Sequence, residues 1–427
     1  RLCLEKPMKP FINCRSQFPA LQLKDASGRP AIYFDGPGGT QVPQSVIAAM
    51  NQHLIQRLSN THGAFATSRA TDETIHNARS AMADFLNAPT PDNIAFGANM
   101  TSLTFHVSRS IGRDLKAGDE IILTRLDHDA NVAPWLALEE KGVKIKFLDF
   151  HPEDCTLAYE KLERLLSAKT KLVAVGYASN AVGTINDVNR IAKMAHAAGA
   201  LVYVDAVHFA PHGPIDVQAL DSDFLVCSAY KFFGPHVGVL YGNYEVMERL
   251  HAYKVRPQES TPPFKFETGT LNHEGLAGTT AAIEYLAELG RHVDNSAVLQ
   301  ASSWQGRRGD LKMAMAAIQE YECTLSQKLI AGLQAIPGVR VFGITDAERY
   351  HQRTPTVAMR MKNHSPQAVA ERLGEENIYA WDGNFYALEV IKRLGYEDNG
   401  GVVRIGLVHY NTEEEIDRML GVLQGLV

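Results

Sequence analysis

The sequence predicts an α/β protein with a mainly parallel seven-stranded sheet, followed by a smaller α+β unit. From about residue 94 to 242, short apolar runs alternate with helical segments, which is typical of a parallel sheet covered by helices on both faces. The link between the last two apolar runs is too short for a helical crossover, so we expect one antiparallel strand. After about residue 276 this alternation ends, and a long helical stretch leads into further strands.

The segment before the sheet begins with residues 1–30, which are polar and proline-containing and are expected to pack on the rest of the chain. Residues 32–35 form a short predicted strand, and the glycine-rich turn 36–40 follows it. This turn matches neither nucleotide-binding glycine pattern, so it gives little support to a nucleotide site. Helices are predicted over 43–57 and 71–86, the second because acidic residues occupy its first turn.

The seven strands of the predicted sheet share short apolar cores. They are Ile94–Phe96, Glu120–Leu123, Lys144–Leu148, Lys171–Val175, Leu201–Val204, Asp223–Cys227 and Val237–Tyr241. The C-terminal elements are a helix over 311–335, strands near 339–343, 356–361, 378–381 and 402–406, and a closing helix near 412–424. We therefore expect an N-terminal segment (1–30), a large domain (31–275) and a small α+β domain (276–427).

The composition is that of an ordinary globular protein, with 427 residues, 45% hydrophobic and 21% charged. The net charge is −6 and no basic run stands out, which argues against a nucleic-acid partner. The sequence has no apolar run long enough for a membrane span and no signal-peptide core, so no membrane association is expected. The five cysteines are scattered and form no CxxC pair, which fits a cytoplasmic location.

Three residues separate Lys231 from the end of the apolar run Phe224–Cys227, and Gly234-Pro235 then breaks the chain. The ends of strands in an α/β sheet are where such folds present their chemistry. Flanking aromatic residues would desolvate the amine and lower its pKa, leaving more of it neutral and able to form an imine. In isolation the same pattern fits a surface lysine on a turn.

Asp205 ends another apolar strand, Leu201–Val204, and so provides a carboxylate in the same kind of position. An amine and a carboxylate at adjacent strand ends suit pyridoxal phosphate. The lysine forms the Schiff base, and the aspartate keeps the pyridine nitrogen protonated. The alternative for Asp205 is a strand-end cap, but its pairing with Lys231 favours the cofactor.

These motifs, in this order, resemble the class V aminotransferase family of fold-type I pyridoxal-phosphate enzymes. Within that family the chain is most similar to the cysteine desulfurase and selenocysteine lyase group, and the resemblance runs from about Ala31 to the C-terminus. It implies a large domain that binds pyridoxal phosphate, a smaller C-terminal domain, and a homodimer with shared active sites.

The turn Gly97–Thr101 corresponds to the segment that holds the cofactor phosphate in the family. Backbone amides at a helix N-terminus form a ready anion site. Many relatives have two threonines where this chain has Ala98 and Asn99. Asn99 could still bind the phosphate, although a plain helix N-cap is an equally good interpretation of it.

The resemblance also assigns roles around the cofactor ring. His128 would stack on the pyridine ring, Asn180 would contact the 3′-oxygen and the substrate carboxylate, and His208 replaces a glutamine that bonds the phenolic oxygen. Asp127, His128 and Asp129 could instead be metal ligands, but three adjacent residues on one turn face one ion poorly. Asn180 could also be an ordinary loop residue.

Further roles follow from matching positions. Ser228 and Tyr230 would bind the phosphate, and Thr270 would bind the phosphate of the neighbouring subunit, which implies an obligate dimer. Arg404 would hold the substrate α-carboxylate, for which a bidentate guanidinium is well suited. The alternative for Arg404 is a salt-bridged arginine on an edge strand.

The chain departs from the desulfurases at the loop that carries their nucleophilic cysteine. In the matching stretch 379–387, Trp381 stands in the place of an arginine and Tyr386 in the place of the cysteine. A phenol cannot attack sulfur or hold a persulfide as a thiolate does. Cys227 and Cys323 fall in a predicted buried strand and a predicted helix. The departure resembles a desulfurase-like subgroup that lacks the cysteine, and leaves Tyr386 as a substrate-binding residue.

The sequence thus predicts an enzyme that acts on cysteine, cystine or a related amino acid by C–S cleavage or β-elimination, without an enzyme persulfide. The catalytic residues would be Lys231, which removes the α-proton, with His128 and Asp205. An aminotransferase, an epimerase and a low-turnover regulatory protein that binds pyridoxal phosphate remain as alternatives. The substrate side chain and the docking of a sulfur acceptor are left open.

Overall fold

The structure is a computed structural model that describes residues 11–293 and 304–427. Its strands are β1 (Ile32–Tyr33), β2 (Ile94–Gly97), β3 (Glu120–Thr124), β4 (Lys144–Leu148), β5 (Phe150–His151), β6 (Thr156–Leu157), β7 (Thr170–Gly176), β8 (Leu201–Asp205), β9 (Phe224–Ser228), β10 (Gly238–Gly242), β11 (Val339–Phe342), β12 (Thr356–Met361), β13 (Ile378–Tyr379), β14 (Trp381–Gly383) and β15 (Val402–Gly406). Its α-helices are α1 (Gln44–Gln56), α2 (Ala66–Leu86), α3 (Met100–Gly112), α4 (Ala133–Leu136), α5 (Leu162–Leu165), α6 (Val188–Ala197), α7 (Val217–Leu220), α8 (Tyr244–Arg249), α9 (His273–Arg291), α10 (Gly306–Gln334), α11 (Pro366–Glu375), α12 (Leu388–Arg393) and α13 (Glu413–Gln424). Within these residues, none of the helices is both long and apolar enough to cross a membrane.

The central sheet has seven strands in the order β2-β10-β9-β8-β7-β3-β4. Strands β4, β3, β7, β8 and β9 run parallel to one another. Strand β10 runs antiparallel to both of its neighbours, β9 and β2. This confirms the prediction of a mainly parallel sheet with one reversed strand after the short link.

Residues of the central strands alternate between two hydrophobic clusters. In β8, Val202 and Val204 belong to one cluster and Tyr203 to the other, and all three are fully buried. Successive side chains of a strand point to opposite faces, so the sheet carries a core on each face. This is why the strands are continuous apolar runs in the sequence.

The strand register brings four polar or small residues to one edge of this sheet. Gly176 of β7 pairs with Asp205 of β8, the last residue of its strand. Ser228 of β9 and Gly97 of β2 both pair with Gly238, because β10 runs opposite to each of them. The carboxyl ends of β2, β7, β8 and β9 therefore meet at one edge, where α/β folds bind their ligands.

The C-terminal part forms a second, four-stranded antiparallel sheet in the order β11-β12-β15-β14. It has its own hydrophobic cluster, which includes Leu329 of α10 and Met419 of α13. This cluster also contains Ile32 and Phe34, because β1 pairs in parallel with β13. The domain boundaries stay a prediction.

The described part of the N-terminal segment packs on distant parts of the chain. Phe18 is fully buried, and its ring lies 5.4 Å from the ring of Tyr285 and 5.1 Å from that of Tyr410. Arg29 forms a 2.6 Å ion pair with Glu376. Residues 1–10 of the predicted segment lie outside the described residues.

Two predicted element boundaries are wrong. Helix α2 begins at Ala66 rather than Thr71, whose hydroxyl is buried and bonds to the carbonyls of Arg57 and Ser59, both at 3.0 Å. The acidic residues that predicted a first turn therefore lie inside the helix. The single strand predicted at 378–381 is divided into β13 and β14, which belong to different sheets.

Candidate active site

A cavity of about 300 Å³ lies at the sheet edge where these strands end. Ten of the twelve predicted site residues line it. They are Asn99, His128, Asn180, Asp205, His208, Ser228, Tyr230, Lys231, Tyr386 and Arg404. The other two, Ala98 and Thr270, are exposed and line a separate recess of about 320 Å³.

Lys231 lies in a short 3-10 turn directly after β9. Its Nζ donates a hydrogen bond to the carbonyl oxygen of Pro37 and lies 4.8 Å from the ring centroid of Tyr230. Burial, with a smaller contribution from the Arg404 guanidinium, lowers the pKa of Lys231 to about 7. A large fraction of this amine is therefore neutral at pH 7, as imine formation requires.

Two buried carboxyl groups lie at the cavity: Asp205 lines it, and Asp127 accepts a hydrogen bond from the amide of Gly176, which also lines it. Burial raises the pKa of Asp205 to about 6, while the Lys231 ammonium lowers it. Burial and the charge of Asp205 raise the pKa of Asp127 to about 8. At pH 7, Asp127 is thus largely protonated and Asp205 largely ionised, so Asp205 is the group able to pair with a protonated pyridine nitrogen.

The imidazole of His128 faces the cavity as a neutral ring. Its Nδ1 accepts a hydrogen bond from the amide of Ala130 at 3.0 Å, which assigns the proton to Nε2. Burial, Lys231 and Arg404 lower the pKa of His128 to about 4. The ring stacks on Tyr386, with centroids 5.5 Å apart and an interplanar angle of 26°.

The alternative of a metal site at Asp127, His128 and Asp129 finds no support in the geometry. The Asp127 carboxyl accepts hydrogen bonds from Thr124 and from the amide of Gly176. Within residues 11–293 and 304–427, no group of three or more His, Cys, Asp or Glu side chains could hold a metal ion.

The candidate anion cradle is the start of α3, beside Ser228 of β9. The amide of Met100 donates to Ser228 Oγ at 3.0 Å, and Asn99 Oδ1 accepts from the amide of Ser102 at 2.9 Å. The side-chain oxygen of Asn99 is therefore the N-cap of α3, which was the alternative interpretation, although Asn99 also lines the cavity. A Cβ at Gly238 would lie 2.5 Å from the carbonyl carbon of Asn99, so only glycine allows this close approach.

Arg404 and Asn180 present unpaired polar atoms. Arg404 Nη1 donates to the carbonyl oxygen of Asn180 at 3.1 Å, and Asn180 Nδ2 donates to that of Phe385 at 2.9 Å. Arg404 Nε and Asn180 Oδ1 are buried without a hydrogen-bond partner among the described residues. Leaving such groups unpaired costs about 1–3 kcal/mol each, so a bound ligand that pairs with them is favoured.

The salt-bridge alternative for Arg404 is not what the structure shows. None of the ion pairs among residues 11–293 and 304–427 involves its guanidinium, which instead lies 4.2 Å over the ring of Phe385. Burial lowers the pKa of Arg404 to about 9, while the Asp35 carboxylate opposes this. The cation therefore remains charged and able to hold a carboxylate.

His208 is buried at the cavity wall, and its Nε2 lies 3.2 Å from the hydroxyl of Thr354. That hydroxyl donates to the carbonyl of Gly183, so His208 Nε2 is the donor. Behind it, His212 Nδ1 lies 2.8 Å from a carboxylate oxygen of Glu322. Burial keeps the pKa of His208 well below its ordinary value, and the ring is neutral.

Two residues of the site were not assigned a role from the sequence. Thr101 lines the cavity, and the Asp35 carboxylate acts on both Lys231 and Arg404. Thr101 lies in the same turn as Asn99, so its spacing could have indicated it. No sequence pattern indicates Asp35. It lies near the site because it forms a β-bridge with Gly406, which is in the same strand, β15, as Arg404.

The cysteines of known position lie away from this cavity. Cys14, Cys155 and Cys227 are buried, and burial raises the pKa of Cys14 to about 11 and that of Cys155 to about 12. Cys323 lies in α10. Among the described residues, none of the cavity-lining side chains is a cysteine.

These residues fit pyridoxal phosphate. A lysine amine that is partly neutral at pH 7, an ionised aspartate, a flat neutral imidazole and a helix N-terminus face one cavity, and each matches a different part of that cofactor. The unpaired Arg404 Nε fits the carboxylate of an amino acid held beside it.

Comparisons with known proteins identify the family of this chain. The aminotransferase class-V family model matches residues 32–305 and 311–419. A probable cysteine desulfurase of Synechocystis sp. is 33% identical over 419 residues, which cover 97% of this chain and 94% of that protein. A probable cysteine desulfurase of Mycolicibacterium paratuberculosis is also 33% identical, over 95% of this chain, and here the chain spans only 56% of that protein's length.

A solved structure shares the whole architecture. The cysteine desulfurase from Thermococcus onnurineus NA1 superposes with a TM-score of 0.84 at 27% identity, and the match covers 98% of each chain. This confirms the predicted fold class. The chain therefore belongs to the class V aminotransferase family and is a pyridoxal-phosphate-dependent enzyme.

Proposed function

We propose that this enzyme cleaves the C–S bond of cysteine, cystine or a related amino acid by β-elimination, without an enzyme persulfide. The observation that carries the proposal is the shared cavity of Lys231 and Arg404, in which the position matched to the desulfurase cysteine is held by Tyr386. The names of the desulfurase relatives support a sulfur-containing amino acid as the substrate.

The cofactor would be held by residues on three sides. Lys231 would bind it covalently, Asp205 would pair with its pyridine nitrogen, and His128 would cover the ring. Asn180 and His208 would contact the phenolic oxygen. The phosphate would be held by Asn99, Ser228, Tyr230 and, with its first-turn hydroxyl, Thr101. When bound, pyridoxal phosphate withdraws electrons from the α-carbon of an attached amino acid.

The remaining residues would handle the substrate. Arg404 would orient the α-carboxylate, and the neutral Lys231 amine would accept the α-proton. With the Cβ–S bond then broken, sulfur leaves with the bonding electrons, and water converts the residual fragment into pyruvate and ammonia. Tyr386 would contact the substrate side chain. Exposed Thr270 would serve the phosphate site of a second copy of the chain in a homodimer.

The proposal is tested by an absorbance spectrum of the loaded protein, followed by the addition of L-cysteine. We expect an imine band that Lys231→Ala abolishes, and the release of sulfide and pyruvate in equal amounts. Alanine without pyruvate would contradict elimination and indicate sulfur transfer to the enzyme or to an acceptor.

The alternatives give different products from the same experiment. A keto acid with retained pyridoxamine phosphate would indicate an aminotransferase, and loss of optical purity in recovered substrate would indicate an epimerase. An imine band without turnover of any amino acid would favour a regulatory protein that binds the cofactor.

A further inference from the structure

Three aromatic side chains, Trp381, Phe385 and Tyr386, border the outer part of the cavity, and we call them the aromatic mouth. Trp381 is 53% exposed and Tyr386 is 70% exposed. Large aromatic groups are costly to leave in water, and exposed clusters of them mark binding surfaces. The aromatic mouth therefore requires an explanation beyond the fold.

The sheet register aims Trp381 at the cavity. Trp381 of β14 pairs directly with Arg404 of β15, and directly opposed residues in antiparallel strands project on the same face. On that face the indole packs over the backbone of Gly38, where an added Cβ would lie 2.9 Å from its Nε1. The indole thus stands beside the guanidinium that we assign to the substrate carboxylate.

The other two rings are held in a strained backbone. Phe385 and Tyr386 have φ values of +56° and +57°, a conformation that costs side-chain-bearing residues about 1–3 kcal/mol each. The Phe385 carbonyl accepts from Asn180 Nδ2 at 2.9 Å, and the Tyr386 carbonyl accepts from the amide of Asp129 at 2.7 Å. Contacts from the loops that follow β7 and β3 therefore hold the backbone that carries both rings.

The aromatic mouth itself consists of uncharged side chains. Among the described residues that line the cavity, the charged side chains are Asp205, Lys231 and Arg404. All three already have roles toward the cofactor or the substrate backbone, and both histidines in the wall are neutral. A substrate side chain that reaches the mouth meets aromatic surface and no counter-ion.

We propose that the aromatic mouth binds a bulky aromatic or apolar group carried on the substrate sulfur. The preferred substrates would then be S-conjugates of cysteine rather than cysteine itself, an inference that rests on the proposed C–S cleavage. For S-benzyl-L-cysteine, the Cβ–S bond breaks and sulfur keeps the electron pair and gains a proton. With one water consumed, the products are phenylmethanethiol, pyruvate and ammonia.

The test compares S-benzyl-L-cysteine with S-methyl-L-cysteine on the loaded enzyme, because both release an alkyl thiol and differ mainly in apolar bulk. Pyruvate formation gives kcat/KM for each. We expect the benzyl substrate to be favoured by about tenfold or more, from burial of the phenyl ring. Trp381→Ala and Tyr386→Ala should each reduce this ratio at least about threefold, whereas Tyr386→Phe should keep it.

Tyr253→Ala is the matched control, because Tyr253 is a 51% exposed aromatic residue that does not line the cavity. In this variant, the ratio of kcat/KM for the benzyl substrate to that for the methyl substrate should equal the wild-type ratio. If S-methyl-L-cysteine or L-cysteine is cleaved as efficiently as the benzyl substrate, the inference is overturned while the proposed elimination stands. If a cysteine S-conjugate that carries a quaternary ammonium group is cleaved more efficiently than S-benzyl-L-cysteine, the inference is likewise overturned and the proposed elimination stands. If none of these amino acids yields pyruvate, the proposed function fails and the inference falls with it.

Discussion

The protonation of Lys231 is set by its burial and by three nearby charges. Burial and Arg404 lower its pKa to about 7, whereas the carboxylates of Asp205 and Asp35 act in the opposite direction. Burial itself raises the pKa of Asp35 to about 6, so its carboxyl is mostly ionised at pH 7. Asp35 thus favours the ammonium form of Lys231 from a position outside the lining of the cavity.

Asp35→Asn is expected to shift the formation of the imine to lower pH. Imine formation needs the neutral amine. When pyridoxal phosphate is added to the cofactor-free protein, the rate of imine formation should therefore rise as pH passes through about 7. Loss of the Asp35 charge removes an influence that holds the proton on Lys231, so the midpoint should fall by about half a unit or more. Absorbance of the imine band, recorded from pH 5.5 to 9, measures this midpoint. The exposed residue change Asp398→Asn should leave it unchanged, and an equal shift there would contradict a specific role for Asp35.

Substitution of the two buried aspartates, Asp205 and Asp127, by asparagine is expected to lower kcat/KM to different extents. Asp205 is largely ionised at pH 7, so Asp205→Asn removes a charge and should lower kcat/KM on the order of a hundredfold or more. Asp127 is largely protonated, so Asp127→Asn replaces one neutral group with another and should cost less than about tenfold. Steady-state rates of pyruvate release compare the two variants. Equal losses would show that the charge of Asp205 is not the property that matters.

At the scale of single residues, the sequence indicated functional side chains where they lie at or just beyond the end of a predicted strand. Asp205 and Lys231 could be found because one ends an apolar run and the other follows one after three intervening residues, whereas Ser228 was assigned only from the family resemblance. Asp35 and Glu322 could not be found, since their influence depends on tertiary packing that brings β1 beside β15 and α10 behind His212.

Among the elements, the contact between β10 and the start of α3 determines the anion cradle. β10 runs against both neighbours, which places Gly238 level with Gly97 and Ser228 and against the backbone of Asn99. The sequence predicted the reversed strand from its short link. It could not predict that α2 starts at Ala66, because the buried hydroxyl of Thr71 is satisfied by carbonyls outside the helix.

Gly238→Ala is expected to open this cradle. The added methyl group would lie 2.5 Å from the carbonyl carbon of Asn99, so β10 and α3 must separate, at a cost of about 1–3 kcal/mol in the free energy of unfolding. The Kd for pyridoxal phosphate should rise by about tenfold. Gly374→Ala, in α11, meets no atom within 4 Å and should instead stabilise the protein by about 0.5–1 kcal/mol. Urea unfolding and cofactor titration give both quantities, and an unchanged Kd in Gly238→Ala would argue against the cradle as the phosphate site.

For the whole molecule, the active site joins two separately built sheets. Lys231 and Asp205 lie at the carboxyl ends of strands β9 and β8 of the central sheet, whereas Arg404 and Trp381 belong to the four-stranded sheet. The alternation of strands and helices made the first sheet predictable. The second was predictable only as a set of strands, since the split between β13 and β14 depends on pairing with β1, which is distant in sequence.

Thr270 offers a test of assembly at the same scale. It is exposed in the described chain and lines a recess with Ala98, whereas the predicted role places it at the phosphate of a second copy. Lys231→Ala alone should be inactive, and Thr270→Ala alone should be weakly active at limiting pyridoxal phosphate, because a charge-assisted hydrogen bond is lost. If the sites are shared in a two-fold dimer, mixed subunits of the two variants form one intact site, from Lys231 of one chain and Thr270 of the other.

Random reassociation of the two variants should therefore restore about a quarter of the wild-type activity, since half of the dimers are mixed and each has one intact site. The measurement is pyruvate release after the variants are unfolded together and refolded at limiting cofactor. Refolding each variant alone controls for recovery of the separate chains. If Thr270 serves the site of its own chain, or if the protein does not form a dimer, the mixture will show only the average of the two variants.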